Sequence, residues 1–226
     1  YGRKMVFKAP NFEIMVMSWL PGDMSAIHNH GYTTWGAVQV FGENEHATFR
    51  QEKGILRTLT RSNFEYGEIV GVGHSLIHQM GNLTNETVLT LHVYGVEHDI
   101  ENVTGDANLY DPSNGTIQII NGGVFFDLPN SQIEDIVEGP KGDYPTQLRN
   151  LIELARRVKC YNSNSIKLKE IEALIVSDSQ IMQLRNFVNE IRGVTGDILN
   201  ENQWKILNKE LCATKTYFSD NEILLE

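Results

Sequence analysis

Cysteine is scarce in this chain, and its two copies, Cys160 and Cys212, form no C-x-x-C pair. That excludes a disulfide framework and a thiolate metal cluster, and fits reduced, buried thiols in a cytoplasmic protein. Basic residues are also few. Nineteen lysines and arginines stand against 29 acidic residues, a formal charge of −10. A nucleic-acid partner, which needs a clustered basic face, is not expected. No apolar run approaches the ~18–20 residues that a membrane-crossing helix requires, so no membrane partner is expected either. The chain starts at Tyr1 rather than Met, so further residues are expected ahead of it; no leader is visible in the 226 residues themselves.

What is present is enough apolar material for a core: 226 residues, 41% of them hydrophobic. Up to about residue 128 the pattern is that of short strands. FEIMVMSWL, TWGAVQVFG, ATFRQEK, GILRTLTR, SLIHQMG, TVLTLHVYG and GTIQIING are rich in β-branched or aromatic residues. The turn signals LPGD, FGEN, GVG, NLTN and DPSNG separate them, which predicts an antiparallel sandwich or barrel.

After LPNSQIEDIVEGPKGDYP the period changes to three and four, as in TQLRNLIELARRVK and QIMQLRNFVNEIR. The division predicted is a β domain over 1–128, a linker over 129–145 and an α-helical extension over 146–226. The helical part contains no histidine. It is expected to cover the β domain or an edge of it, or to join two copies, giving a monomer or a homodimer.

Two histidines, His28 and His30, follow the Pro-Gly turn of PGDMSAIHNHGYTTWGAVQVFG. On a strand, side chains at i and i+2 share a face, so the two imidazoles would sit together as candidate metal donors. His46 and His98 lie in charged, turn-like settings (ENEH, VEHD) and are expected to be exposed.

The spacing around the pair resembles the first cupin motif, G-x5-H-x-H-x3,4-E-x6-G. Gly22, His28, His30 and Gly42 keep it, and Trp35 replaces the glutamate. HQMGN, from His78 to Asn82, resembles the H-x3-N of the second motif. The resemblance implies an all-β cupin jelly roll (double-stranded β-helix) and a metal site of His28, His30 and His78. His74, four residues before His78, is the alternative third donor. With Trp35 at the acidic position no carboxylate would join the site, and the indole would instead form an apolar wall of the pocket.

LTLHVYG places Thr90, His92 and Tyr94 on one strand face and resembles the S-x-H-x-Y strand of the thiol dioxygenases, the cysteine dioxygenase group of cupins. YGRKMV resembles the Y-x-R-x-L-V start of that group, and NLYDPSNGTIQII resembles its return strands. This implies Fe(2+) and dioxygen, with a small carboxylated thiol, cysteine or 3-mercaptopropionate, oxidised to its sulfinic acid. Arg3 would hold the carboxylate, with Tyr1 and Trp35 beside the substrate. Tyr94 would act at the reacting centre, oriented by His92 and Thr90. No cysteine follows H-x-H, so Tyr94 would remain a free phenol. A metal-holding cupin without turnover, its helices engaging a partner, is the alternative.

Overall fold

The computed structural model describes residues 1–143 except 83 and 127, with six further positions at 146, 147, 149, 150, 169 and 173. The chain divides into two compact units, Tyr1–Gly142 and Asp143–Glu226. The helices expected over 146–226, and both cysteines, lie outside the described residues apart from those six positions. Among the described residues no helix is long and apolar enough to cross a membrane.

The first unit is built of β1 (Gly2–Lys8), β2 (Phe12–Trp19), β3 (Ile27–His28), β4 (Trp35–Phe41), β5 (Asn44–Glu52), β6 (Ile55–Phe64) and β7 (Ile69–Gly73). They are followed by β8 (Ile77–Gly81), β9 (Val88–Gly95), β10 (Ala107–Asp111), β11 (Thr116–Ile120), β12 (Ile133–Glu138) and β13 (Lys141–Gly142). One sheet runs β1-β2-β9-β4-β7; the other runs β12-β11-β10-β3-β8-β5-β6-β13. From β3 to β10 the chain passes repeatedly between the two sheets, which is the interlocked order of a jelly roll.

Strand parity decides what lies inside. In β2 burial alternates strictly, placing Glu13, Met15, Met17 and Trp19 inward. Met15, Met17, Trp19, Val38, Val40 and Val88 of the first sheet meet Met80 of the second in one core cluster. Each such apolar side chain stabilises the fold by about 1.5–3 kcal/mol when taken from water. A second cluster collects Ile27, Ala47, Phe49, Leu56 and Tyr110. The short strand β3 is paired on both sides, with His28 opposite Leu109 on β10 and opposite His78 on β8.

Seven strands coincide with the runs read from sequence, and NLYDPSNGTIQII supplies β10 and β11. The GVG read as a turn is instead the end of β7, which pairs with β4. The segment expected as a linker, 129–145, carries β12, an antiparallel partner of β11 from Ile120↔Ile133 to Thr116↔Glu138. The β domain therefore runs past residue 128, to Gly142. Its last long strand escaped the sequence reading because it is an exposed edge carrying Glu134, Asp135 and Glu138, the charges by which edges avoid further pairing.

Candidate metal centre and the polar row beside it

His28 ends β3, and His30 follows just outside it, so the pair does not share a continuous strand as expected. The rings still converge. His28, His30 and His78 are all buried, and one ring nitrogen from each lies within 4.8 Å of the others. His28 and His78 owe this to direct Cα pairing across β3 and β8. His30 owes it to the turn behind it. Gly31 there has φ +49, and a Cβ would collide with the Gly105 carbonyl oxygen, so only glycine fits.

The donors are prepared differently. His28 Nδ1–H donates to the Ala26 carbonyl at 2.8 Å, which leaves Nε2 with its lone pair toward the other rings. His78 Nε2 stands 3.1 Å from that His28 Nε2, and His78 Nδ1 is 2.8 Å from His46 Nε2. Neither nitrogen of His30 has a partner in hydrogen-bond geometry, although both are buried. Burial lowers all three pKa values: His28 to about 4, His30 and His78 well below the ordinary histidine value. Neighbouring imidazoles add to the effect, and for His30 the Leu76 backbone opposes it only partly. All three rings are therefore neutral near pH 7. The two buried His30 nitrogens without a partner are costly unless something accepts a lone pair there. The set fits a divalent transition metal.

Among the described residues no carboxylate or thiol joins the group. The nearby buried acids are engaged elsewhere: Glu13 with Lys8 at 3.5 Å and Thr104 at 3.3 Å, Glu45 with Arg61 at 2.7 Å. His74 is not in the group; it is exposed, and its Nδ1–H donates to the Gly31 carbonyl at 2.6 Å, bracing the turn after His30.

Thr90, His92 and Tyr94 form a continuous buried row on β9. Thr90 Oγ1 is 2.6 Å from His92 Nε2, and His92 Nδ1 is 2.7 Å from the Tyr94 hydroxyl. At the far end Trp19 Nε1–H donates to Thr90 Oγ1 at 2.8 Å. An indole can only donate, so Thr90 accepts there; its remaining lone pair and its own proton allow either sense for the bond to His92 Nε2, set by the His92 tautomer. With Thr90 donating to Nε2, His92 Nδ1–H donates to the Tyr94 oxygen and the phenol proton is free to face His30, whose ring is 5.5 Å away. Burial holds His92 neutral, with a pKa of about 3, and pushes the Tyr94 phenol well above its ordinary value.

A narrow cavity of about 30 Å³ opens beside these groups, lined by Tyr1, Arg3, His28, His30, Tyr94 and Thr104 among others. Arg3 reaches it from β1, held by Nε–H to Met15 Sδ at 2.9 Å and Nη2–H to Thr104 Oγ1 at 3.0 Å. Tyr1 is stacked between Trp19 and Phe125, centroids 4.5 and 4.4 Å away. Trp35 is not in the lining. Its indole is 43% exposed and lies over Gly95. The reason is parity: Val38 and Val40 face inward from β4, so Gly36 takes the inward place opposite Tyr94 and Trp35 points out.

Three contributors were not foreseen. His46, expected to be exposed, is 4% exposed and touches His78. Carrying the alternation of ATFRQ back through Asn44, His46 and Thr48 would have placed it on the His78 face. Trp19 and Thr104 had no local signal, since each acts through a residue 71 or 101 positions away.

No protein-family model matches this chain. Solved structures similar to it include the Schizosaccharomyces pombe Cnp3 cupin domain, at 13% identity and TM-score 0.36, over 42% of this chain and 60% of that one. A Klebsiella pneumoniae protein with a double-stranded β-helix domain matches at 17% identity and TM-score 0.35, over 48% and 83%. Lactobacillus farciminis oxalate decarboxylase matches at 19% identity and TM-score 0.34, over 41% and 27%. This chain thus spans less than two thirds of the Cnp3 domain and about a quarter of the decarboxylase.

Proposed function

We propose that this chain is a metal-dependent thiol dioxygenase of the cupin type, acting on a small carboxylated thiol. The observation that carries the reading is one juxtaposition. Three neutral imidazoles without a carboxylate converge within 4.8 Å, and a buried phenol and an arginine line the cavity at their mouth. Oxygen-activating iron sites with a carboxylate ligand hold two histidines; three neutral donors leave more positive charge, which suits an anionic thiolate.

Fe(2+) would be held by His28, His30 and His78 and would supply a Lewis-acidic, redox-active centre for the thiol and dioxygen. The balance is RSH + O2 → RSO2H, with sulfur oxidised and dioxygen reduced. Around that centre, Arg3 binds the substrate carboxylate with N–H groups not used by Met15 and Thr104. Tyr94 donates its proton into the cavity toward developing negative charge, and His92 and Thr90 keep the phenol so oriented. Tyr1, wedged between two aromatic rings, fixes the wall beside Arg3.

The test is oxygen uptake by the iron-loaded protein with cysteine, 3-mercaptopropionate, cysteamine and homocysteine. Uptake that requires a carboxylated thiol and yields its sulfinic acid is the expected result. The narrowness of the cavity, about 30 Å³, favours a second reading, a metal-holding cupin without turnover. That reading gives bound metal and no uptake with any thiol.

A further inference from the structure

We propose that His46 is a positioning residue for the third metal donor, setting which nitrogen of His78 carries the proton; this rests on the metal-site reading above. His46 lies on β5, where Thr48 is the Cα partner of His78 and His46 that of Met80. It is therefore the diagonal neighbour of His78 on the same face of the sheet. Its ring is wedged between Phe64 and His78, each with its centroid 5.0 Å away. Its Nε2 meets His78 Nδ1 at 2.8 Å.

Two neutral arrangements satisfy this contact. In one, His46 Nε2–H donates to His78 Nδ1, and His78 Nε2–H donates to His28 Nε2, 3.1 Å away. His28 cannot be the donor there, because its proton is committed at Nδ1 to Ala26. In the other, His46 Nε2 accepts from His78 Nδ1–H, and the His78 Nε2 lone pair faces the other two donors. Only the second can serve a cation. The two differ by moving one proton from Nε2 to Nδ1 on each ring, with no proton gained or lost overall. Without a cation the second arrangement would set the His28 and His78 Nε2 lone pairs against each other 3.1 Å apart, so the metal-free site takes the first, and metal loading exchanges the tautomer of His46, a residue that does not touch the metal. Without an acceptor at position 46, the Nδ1–H of His78 would be buried and unpaired in the loaded form.

The experiment uses Zn(2+), which is diamagnetic, on the full chain. Imidazole nitrogen shifts are followed by NMR during titration, and affinity is measured by chelator competition. His46 Nε2 should pass from protonated to unprotonated on loading. His46→Leu, which removes the acceptor, should weaken zinc binding roughly 10- to 100-fold. His46→Gln, whose amide oxygen can accept, should recover most of that loss. Unchanged His46 nitrogen shifts in wild-type protein that binds zinc would overturn the proposal, even if His46→Leu does not fold. So would wild-type affinity in folded His46→Leu. Wild-type protein that binds no metal overturns the metal reading itself, and this inference with it.

Discussion

Trp19 Nε1 donates to Thr90 Oγ1 at 2.8 Å, joining a core indole on β2 to the polar row on β9. Because the indole never accepts, Thr90 Oγ1 is the acceptor at this contact, and the bond anchors the far end of the row that runs to the Tyr94 phenol. Trp19→Phe keeps most of the ring and removes only this donor. It should cost about 1 kcal/mol of stability, read as a shift in the urea midpoint. It should also lower turnover while metal content stays unchanged, because the row that holds the phenol loses its anchor at Thr90.

Tyr94→Phe removes the phenol proton outright. Turnover should fall by roughly a hundredfold, the usual effect of losing one donor aimed at developing charge. Metal occupancy should be unaffected. An unchanged oxygen-uptake rate would take Tyr94 out of the reaction.

His30 is the donor with no hydrogen-bond partner for either nitrogen. His30→Leu, close in volume and apolar, should therefore raise the thermal midpoint of metal-free protein, since each buried unpaired polar group costs about 1–3 kcal/mol. The same change should abolish metal retention, measured by elemental analysis. A gain in stability accompanied by lost function marks a site rather than a structural histidine.

Arg3→Ala should raise KM for a carboxylated thiol by roughly 10- to 100-fold, the worth of about 1.5–3 kcal/mol for a charged hydrogen bond. Cysteamine, which has no carboxylate, should be affected little. If cysteamine were the better substrate of the wild-type protein, the role of Arg3 would be refuted.

The histidines set the acid limit. His28 and His46 are held to about 4 and His92 to about 3 by burial. Between those values and about 6.5 the unfolded chain binds protons that the folded one does not, so stability must fall as pH drops through that window. Each ring contributes up to about 1.4 kcal/mol per pH unit within that window. Urea midpoints measured from pH 7 to pH 4 should decline steadily, and less steeply for His46→Leu.

The jelly-roll class and the donor trio were legible because both are local patterns. Alternation marks strands such as FEIMVMSW, and H-x-H with H-x3-N resembles the two cupin motifs, whose rings the β3–β8 pairing brings together. What failed was parity and partnership. Trp35 stood at the right spacing but one position out of phase with Val38 and Val40, so it points to the surface. His46 looked solvated beside Glu43 and Glu45, whereas Glu45 is paired with Arg61 across the β5–β6 ladder. Such pairing depends on register between distant segments. IEDIVE hid β12 because an edge strand has little reason to alternate.

The two-residue strand β3 has one further consequence. Since His28 and His78 are opposed Cα partners, a slip of one residue between β3 and β8 would turn the His78 ring to the far side of its sheet. Chelating capacity in this chain therefore doubles as a gauge of correct strand alignment. A misaligned chain could keep its full β content by circular dichroism and still hold no ion.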